Sequence, residues 1–412
     1  MRLYRNYLAL FFLLVLGFLQ AKSYPYKVPG NDEEYFLNPL VNYAFTYDTE
    51  KYNNSMFYKN SSIKLTYGSL LNYQLLKDEV IVLNLPLNEK LTFSANYRNY
   101  ITRHLMFDKE EARIGLRYKL NDNFSLVGNT QLESGKDLID VGAGILFEDS
   151  KDNYFSSIVS FDDFIYDMKN LNEGLNNFTP ISITSKLNYS NSKLYLFSEV
   201  NYSTGFEREF PQDTLAIVSE LNYHKMKNCD YKFDFGYEIA KNMNLYSKVF
   251  FNQFNEEKHF NNLDSSYYKM ESDFISIELG MDQKFSRSSL RYGMIYAKSN
   301  QDKIGGYPES YYYEPDYTYN FKVSAVIPYL FYTYNWNENF QIEPGLLVQV
   351  NKDNEGTNPW GSTYLLHLEY NDMLKLGVRY KFDNKSFIYA SIGHLFNSGN
   401  FGGGNVRFVK YF

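Results

Sequence analysis

The sequence has little cysteine and, beyond its first residues, no long hydrophobic run. Cys229 is the only cysteine among 412 residues, so an intramolecular disulfide and a metal site built from thiolates are both excluded. No internal apolar run approaches the ~20 residues that a membrane-spanning helix requires, and the mean hydropathy is −0.44. These two absences exclude a helical membrane protein.

Catalytic and nucleic-acid-binding patterns are also missing. The formal net charge of −7 argues against nucleic acid as a partner. Four histidines, His104, His224, His259 and His367, have no metal-ligand spacing, and no cofactor motif is present. His394 and Ser398 are the only candidate catalytic pair, but four residues on a strand separate them by roughly 13 Å. We therefore expect neither metal, cofactor nor enzymatic activity.

Aromatic residues are abundant instead, at 19% of the chain with 41 Tyr and 34 Phe. Aliphatic residues show no such surplus. A transmembrane β-barrel has this kind of composition, because every second residue of a strand faces lipid while the others face water. A polar mean hydropathy is therefore compatible with a fully embedded barrel.

The N-terminus has the layout of a secretory signal peptide over residues 1–23. Arg2 and Arg5 precede an apolar core from Leu8 to Leu19, and small residues at Ala21 or Ser23 offer a cleavage site. The alternative is an uncleaved anchor, but the apolar core is short for a membrane span. Residues 24–40 are interpreted as a periplasmic lead-in.

Beyond residue 40, segments with a period of two dominate the chain. In "EEARIGLRYKL" the apolar residues from Ala112 to Leu120 alternate with charged residues and Gly115. "DYKFDFGYEIA" (230–240) and "MLKLGVRYKF" (373–382) repeat the pattern. Each segment therefore predicts a strand with one apolar and one charged face.

A soluble β-sandwich could show the same alternation, and three observations favour a membrane barrel. Most candidate strands are about ten residues long, enough to cross a bilayer at a tilt. Aromatic residues such as Tyr334, Trp336 and Phe340 flank turns, as in an interfacial girdle. Glycines occupy the polar face.

The connections are of two kinds, as in outer-membrane barrels with short periplasmic turns and long extracellular loops. Tight turns such as "LNEK", "NDN", "NSK" and "WNEN" contain residues that favour chain reversal. Longer polar connections are predicted at 165–176, 203–212, 255–270, 299–319, 351–361 and 396–404. About twenty candidate strands are present, and short and long connections fail to alternate around 212–232 and 362–373. We predict an all-β, transmembrane antiparallel β-barrel of about 18 strands (16–20) over residues 41–412.

The chain ends on "GGGNVRFVKYF". This ending resembles the C-terminal signature of bacterial outer-membrane β-barrels, in which a terminal aromatic on an alternating strand is recognised by the barrel-assembly machinery. The resemblance implies that Phe408 and Phe412 are the assembly signal. Lys410 departs from the signature at a position that is normally apolar. "SIGHLFNSGNFGGG", before the last strand, is similar to alginate-export-type porins but is too short to indicate a substrate.

The charged residues of the predicted polar faces are unevenly distributed. If the last strand pairs with the first, basic residues of early and late strands form one lumen wall: Arg98, Arg113, Arg117, Lys375, Arg379 and Arg407. Acidic residues from the middle of the chain form an opposing wall: Asp234, Glu238, Glu278 and Asp282. One interpretation is an ordinary solvated lining with local ion pairs. The other is a transverse field that orients polar solutes.

One predicted loop, "GGYPESYYYEPDYTYN", is rich in tyrosine. It carries Tyr307, Tyr311, Tyr312, Tyr313, Tyr317 and Tyr319. Aromatic rings stack on sugar faces, so the loop is a candidate carbohydrate-binding or constriction loop. The alternative is a rim loop in a chain that is rich in tyrosine throughout.

These patterns predict an outer-membrane, porin-like channel for diffusion of small polar or anionic solutes. The alternative is a structural or adhesive barrel with an occluded lumen and ligand-binding extracellular loops. The expected partners are the lipid bilayer, the barrel-assembly machinery and the solutes themselves. The patterns indicate neither the solute nor the oligomeric state.

Deleting Phe412 is expected to lower the amount of assembled protein far more than total synthesis, because the terminal strand is needed for closure and for recognition. Comparing the folded and total pools of the deletion and the full chain measures this. Normal assembly without Phe412 would contradict the proposed role of the terminal aromatic.

Overall fold

The structure is a computed structural model, and it describes thirteen stretches of the chain. These are residues 61–70, 74–101, 109–133, 139–149, 153–165, 175–176, 181–209, 221–260, 267–304, 318–357, 363–365, 372–396 and 400–412. The predicted signal peptide, the lead-in and residues 41–60 of the predicted barrel lie outside them. No helix in the described stretches is long and apolar enough to span a membrane.

The described residues form strands joined by turns. The first eleven segments are β1 (Ser62–Leu70), β2 (Gln74–Pro86), β3 (Leu91–Ile101), β4 (Lys109–Lys119), β5 (Phe124–Glu133), β6 (Ile139–Glu148), β7 (Tyr154–Ile165), β8 (Leu175–Asn176), β9 (Ile181–Ser190), β10 (Leu194–Ser203) and β11 (Phe206–Glu209). The others are β12 (Leu221–Ala240), β13 (Met243–Phe260), β14 (Tyr267–Lys284), β15 (Ser288–Ile304), β16 (Thr318–Asn335), β17 (Phe340–Leu347), β18 (Val350–Thr357), β19 (Thr363–Leu365), β20 (Met373–Asp383), β21 (Ser386–Leu395) and β22 (Asn400–Tyr411).

These segments form one closed antiparallel barrel. Each wall strand pairs with the next, and β1 pairs with β22 from Ser62 opposite Tyr411 to Leu70 opposite Gly403. Four segments prolong their neighbours: β8 and β11 pair with each other, while β18 pairs with β16 and β19 with β18. The other 18 segments are the wall strands, so the predicted all-β, 18-strand antiparallel barrel is confirmed.

The outer face of the wall is apolar and exposed, whereas the inner face is polar. On β20, Leu374 and Leu376 are 51% and 47% exposed, but the intervening Lys375 is only 7% exposed. On β4, Leu116 and Tyr118 are likewise exposed outside. A continuous exposed apolar surface of this kind marks contact with lipid. The alternation predicted for these strands therefore has the predicted orientation.

Strands β12 to β16 extend beyond the exposed apolar surface of the outer wall. Outward residues on β13 change from Phe251 to Gln253, and those on β14 change from Ile275 to Asp273. Beyond that boundary a row of alternating charge crosses four segments: Glu207, Lys225, Glu257 and Lys269. Residues of opposite charge that face each other on neighbouring strands stabilise the pairing of those strands. The backbone hydrogen-bond ladder therefore continues past the lipid-facing part of the wall.

This continuation corrects several predicted connections. Residues 255–260 and 267–270 belong to β13 and β14, not to a loop, and residues 299–304 belong to β15. Similarly, 206–209, 351–357 and 400–404 are paired strand residues. Polar residues on both faces of a segment argue against a strand only within the bilayer, where one face of the strand must contact lipid. Outside the bilayer, both faces of a paired strand meet water.

One end of the barrel, here called the turn rim, carries the tight turns and both ends of the wall. In four turns an Asn side chain accepts the backbone N–H groups of the residues two and three positions ahead, at 2.8–2.9 Å. These residues are Asn88, Asn121, Asn191 and Asn337. Asn242 has a φ of 72° in the turn at 241–242, a conformation that Asn tolerates. The turn chemistry in the sequence thus places the strand reversals.

The predicted assembly signal lies at the turn rim. The backbone N–H of Phe412 donates to the carbonyl of Ser61 at 3.0 Å, and the Phe412 side chain is 45% exposed. Phe408 lies on the outer face of β22, where its ring centroid is 6.5 Å from that of Phe382. The Lys410 ammonium is 5.5 Å from the centre of the Phe412 ring. A lysine near the membrane edge can thus keep its charge in water while its stem covers apolar surface.

A barrel closed by β1 and β22 is expected to migrate faster in SDS gels when it is not boiled, because detergent cannot open a ladder that has no free edge. Gel mobility before and after boiling measures this. A variant lacking β22, residues 400–412, is the control and should migrate identically in both samples. Identical mobility of the full chain would contradict a closed barrel.

Candidate functional site: the charged inner wall

The basic residues predicted for the lumen lie on one side of the barrel. Arg98 is on β3, Arg113 and Arg117 are on β4, Lys375 and Arg379 are on β20, and Arg407 is on β22. Strand pairing brings these strands together through β21, β1 and β2. This side, from β20 through β22 and β1 to β4, is here called the basic arc. Closure thus places residues from both ends of the chain on one inner surface.

The predicted acidic residues lie on the far side. Asp234 and Glu238 are on β12, and Glu278 and Asp282 are on β14. Five wall strands separate β12 from β4 on one side, and three separate β14 from β20 on the other. The two sets therefore oppose each other across the barrel.

Contacts near β4 partly balance the charge of the basic arc. The Arg117 guanidinium forms an ion pair with Glu148 and donates to Ser125 Oγ at 3.0 Å. Arg113 Nε donates to Gln131 Oε1 at 2.9 Å, a neutral acceptor. Arg98 is exposed to solvent. Arg117 is thus paired with a carboxylate, whereas Arg113 contacts only a neutral side chain.

On β20 to β22 the basic residues surround one aromatic ring. Tyr389 on β21 lies directly opposite Arg379 on one side and Arg407 on the other. The Lys375 ammonium is 5.6 Å and the Arg379 guanidinium 5.4 Å from the centre of the Tyr389 ring. The Lys375 ammonium also lies 5.6 Å from the centre of the Phe331 ring. Lys375 and Arg407 are 7% and 6% exposed, so both cations are largely withdrawn from water.

Glu343 on β17 is the neighbouring carboxylate. Its Oε1 accepts a hydrogen bond from the Tyr389 hydroxyl at 3.2 Å, and its Oε2 accepts one from Thr333 Oγ1 at 3.3 Å. These two hydroxyls hold Glu343 beside Gly377, its partner in register. In register, Glu343 thus lies between the positions of Lys375 and Arg379 on the neighbouring strand.

The acidic side is locally compensated. Glu278 is 4% exposed and accepts a hydrogen bond from the Tyr329 hydroxyl at 2.6 Å. The Tyr329 hydroxyl in turn contacts that of Tyr246. Asp282 forms an ion pair with Arg291. Glu278 and Asp282 therefore each have a specific polar partner on the inner wall.

Glycines provide space for these tyrosines. A Cβ atom added to Gly280 or Gly293 would lie 2.5 Å from the Tyr329 hydroxyl. A Cβ atom added to Gly377 would lie 2.5 Å from the Tyr389 hydroxyl. The sequence predicted glycines on the polar face, but it did not indicate which aromatic rings occupy the space beside them. Tyr246, Tyr329 and Tyr389 were missed, because their outward counterparts are equally aromatic.

The inner wall also has an apolar patch, which the sequence did not reveal. Ile327 and Leu347 point into the barrel and are 0% exposed. They belong to a buried cluster: Tyr246, Ile295, Ala325, Ile327, Tyr329, Phe331, Leu347, Met373 and Leu395. Around this cluster, β15 and β16 are therefore apolar on both faces. This patch excludes water from part of the inner wall.

Other predicted residues do not meet at this site. Tyr307, Tyr311, Tyr312, Tyr313 and Tyr317 lie outside the described residues, as does Ser398. Tyr319 belongs to β16, where only its backbone is described. His394 lies opposite Leu374 on β20, which places it on the outer face.

A cavity of about 350 Å³ opens at the turn rim below the basic arc. Arg117, Lys119 and Lys90 line it together with Glu148 and Asp122. The Lys119 ammonium and Asp122 are 3.0 Å apart. Charges of both signs therefore surround the rim end of the arc.

No protein-family model matches the chain, and no curated protein matches it. Among solved structures, the chain is similar to a loop-deletion mutant of OmpT, an outer membrane protein of Vibrio cholerae. The identity is 13%, with 86% of this chain and 98% of that chain covered and a TM-score of 0.39.

The chain is also similar to the ferric enterobactin receptor of Pseudomonas aeruginosa. That match has 8% identity, 87% and 81% coverage of this chain and that chain, and a TM-score of 0.40. The FrpB iron transporter of Neisseria meningitidis has 7% identity, 87% and 82% coverage, and a TM-score of 0.40.

Replacing Gly293 by alanine is expected to destabilise the barrel by about 1–3 kcal/mol, the usual cost of overpacking. The new Cβ would meet the backbone carbonyl of Leu279, and the Gly280 Cα at 2.7 Å. Gly128→Ala is the matched control, since its Cβ would meet only the Gly142 carbonyl at 3.8 Å. Denaturant unfolding of both refolded variants measures the difference. Equal stability would contradict the close packing at Gly293.

Proposed function

We propose that the protein is a porin-like channel of the bacterial outer membrane, through which small polar or anionic solutes diffuse. The observation that carries this proposal is the gathering of inward basic residues on one arc of a closed barrel. Low-dielectric walls focus such a field along a lumen. Arg98, Arg113 and Arg379 would then favour anions over cations.

The proposed anion preference is weak. The Arg117–Glu148 pair and the Asp282–Arg291 pair neutralise part of the charge on each side. Salt also screens exposed charges over about 8 Å at physiological ionic strength. The channel would therefore bias, rather than determine, which small solutes pass.

The proposed location follows from the predicted export signal, the lipid-facing outer wall and the terminal aromatic. The signal peptide over residues 1–23 would direct export, and the barrel-assembly machinery would recognise Phe408 and Phe412 on β22. In this orientation the turn rim faces the periplasm, as turns of such barrels do. The bilayer and the assembly machinery are then the proposed partners.

A second candidate is a structural or adhesive barrel with an occluded lumen. The apolar inner patch around Ile327 and Leu347 favours it, because these side chains are 0% exposed although they point inward. Single-channel conductance of the refolded protein in planar bilayers separates the two candidates. Discrete currents favour the channel, whereas persistent silence favours the occluded barrel.

The double variant Arg113→Gln with Arg117→Gln is expected to shift the reversal potential under a salt gradient toward cation preference. Two positive charges leave the proposed path, so the shift is largest at low salt. Glutamine avoids placing a second carboxylate beside Glu148, a partner of Arg117.

The matched control is Lys225→Gln with Lys227→Gln, which removes the same charge from the outer face of β12. Its reversal potential should equal that of the wild type. An equal shift in both double variants would mean that total charge, and not the basic arc, sets selectivity.

A further inference from the structure

Two of the basic residues beside Tyr389, Lys375 and Arg407, are buried without a carboxylate partner among the described residues. Lys375 and Arg407 are each more than nine-tenths buried, and their strands are neighbours of β21 on its two sides. Within the described residues, neither cation has a carboxylate at ion-pair distance or a hydrogen-bond acceptor. Lys375 and Arg407 therefore carry buried positive charge that no described carboxylate pairs with.

Burial of this kind is costly. A buried charge is normally paired or hydrogen-bonded, because the lost hydration is not otherwise replaced. Contacts of Lys375 with the Phe331 and Tyr389 rings, both at 5.6 Å, offset only part of that loss. Glu343 does not complete the balance, because among the described residues it forms no ion pair with Lys375 or Arg407. Its two oxygens instead accept hydrogen bonds from the hydroxyls of Tyr389 and Thr333.

Glycines lie beside these cations. Lys375 is opposite Gly393, and Gly393 is opposite Gly403 on the next strand. Gly377, two residues from Lys375, accommodates the Tyr389 ring. The inner wall next to Lys375 thus has no side chain at Gly393 or Gly403.

We propose that Lys375, Arg379 and Arg407 bind a compact oxyanion group, a carboxylate or a phosphate, on the luminal face. An arginine fork matches two oxygens of such a group, and the lysine ammonium adds a point charge. Tyr389 positions the cations and keeps Glu343 from occupying the site. This inference rests on the proposed channel, for which it identifies a binding step and a solute class.

The test uses the full refolded barrel in detergent and measures the temperature at which its unboiled gel mobility is lost. Inorganic phosphate is the probe, acetate tests a carboxylate, and chloride at equal ionic strength is the reference. A ligand that binds only the folded state raises its unfolding temperature. Phosphate or acetate should therefore raise this temperature above the value in chloride.

The decisive variant is Lys375→Met with Arg407→Gln. Its affinity for the anion should fall by more than about tenfold, because two charge-assisted contacts are lost and one alone accounts for about a factor of ten. In chloride it should unfold no lower than the wild type, because it lacks the unmatched buried charge. Each single substitution is made as well and should weaken the response on its own.

Lys232→Met is the matched control, since Lys232 is an inward lysine on the far side, 5.8 Å from the centre of the Phe250 ring. It should keep the response of the wild type. Equal anion responses in the wild type and the double variant would overturn the proposal. So would a wild type that responds to neither phosphate nor acetate.

Bilayer recording separates failure of the site from failure of the channel. A silent barrel whose anion response is lost in the double variant supports the site and contradicts the channel. A conducting barrel without any anion response contradicts the site and leaves the channel in place.

Discussion

Every feature of this barrel depends on the pairing of β1 with β22. In a bilayer core no water is present to satisfy backbone N–H and C=O groups, so a sheet that spans it must close on itself. The pairs from Ser62–Tyr411 to Leu70–Gly403 provide this closure. They also determine which inner surfaces exist, because Arg407 and Arg98 lie on the same side of the barrel only when the two ends of the chain meet.

Closure also divides the tasks of the two faces. The outer face needs only apolar side chains of any shape, since lipid adapts to them. The inner face has to fit side chains against one another, and Gly280, Gly293 and Gly377 show how. Because each of these glycines lacks a side chain, a tyrosine hydroxyl from a nearby strand lies against its backbone. Hydrogen bonds to Glu278 and Glu343 then hold these tyrosines in place.

The alternation in β4, β12 and β20 was sufficient to predict the class of fold and the inward direction of Arg113 or Lys375. The number of about 18 strands was predicted instead from the count of candidate segments along the whole chain. It could not predict that Lys375 is buried, because burial depends on Phe331 and Tyr389 from other strands. Nor could it predict that β13 reaches Phe260, since a polar strand and a polar loop have the same composition. The apolar patch at Ile327 was not predicted for a related reason. Both faces of β16 are apolar around this residue, so the alternation with a period of two disappears.

Among the described residues, strands of unequal length make one side of the barrel extend farther beyond the apolar surface than the other. β12 has 20 residues and β4 has 11, and the difference of 20 − 11 = 9 residues corresponds to roughly 30 Å along a strand. The side that extends farther, which includes β12, is a hydrogen-bonded sheet. Ion pairs such as Lys225–Glu207, at 3.4 Å, lie on its outer face. A protein that bound this extended side would contact a surface whose shape is set by the backbone ladder and not by a loop.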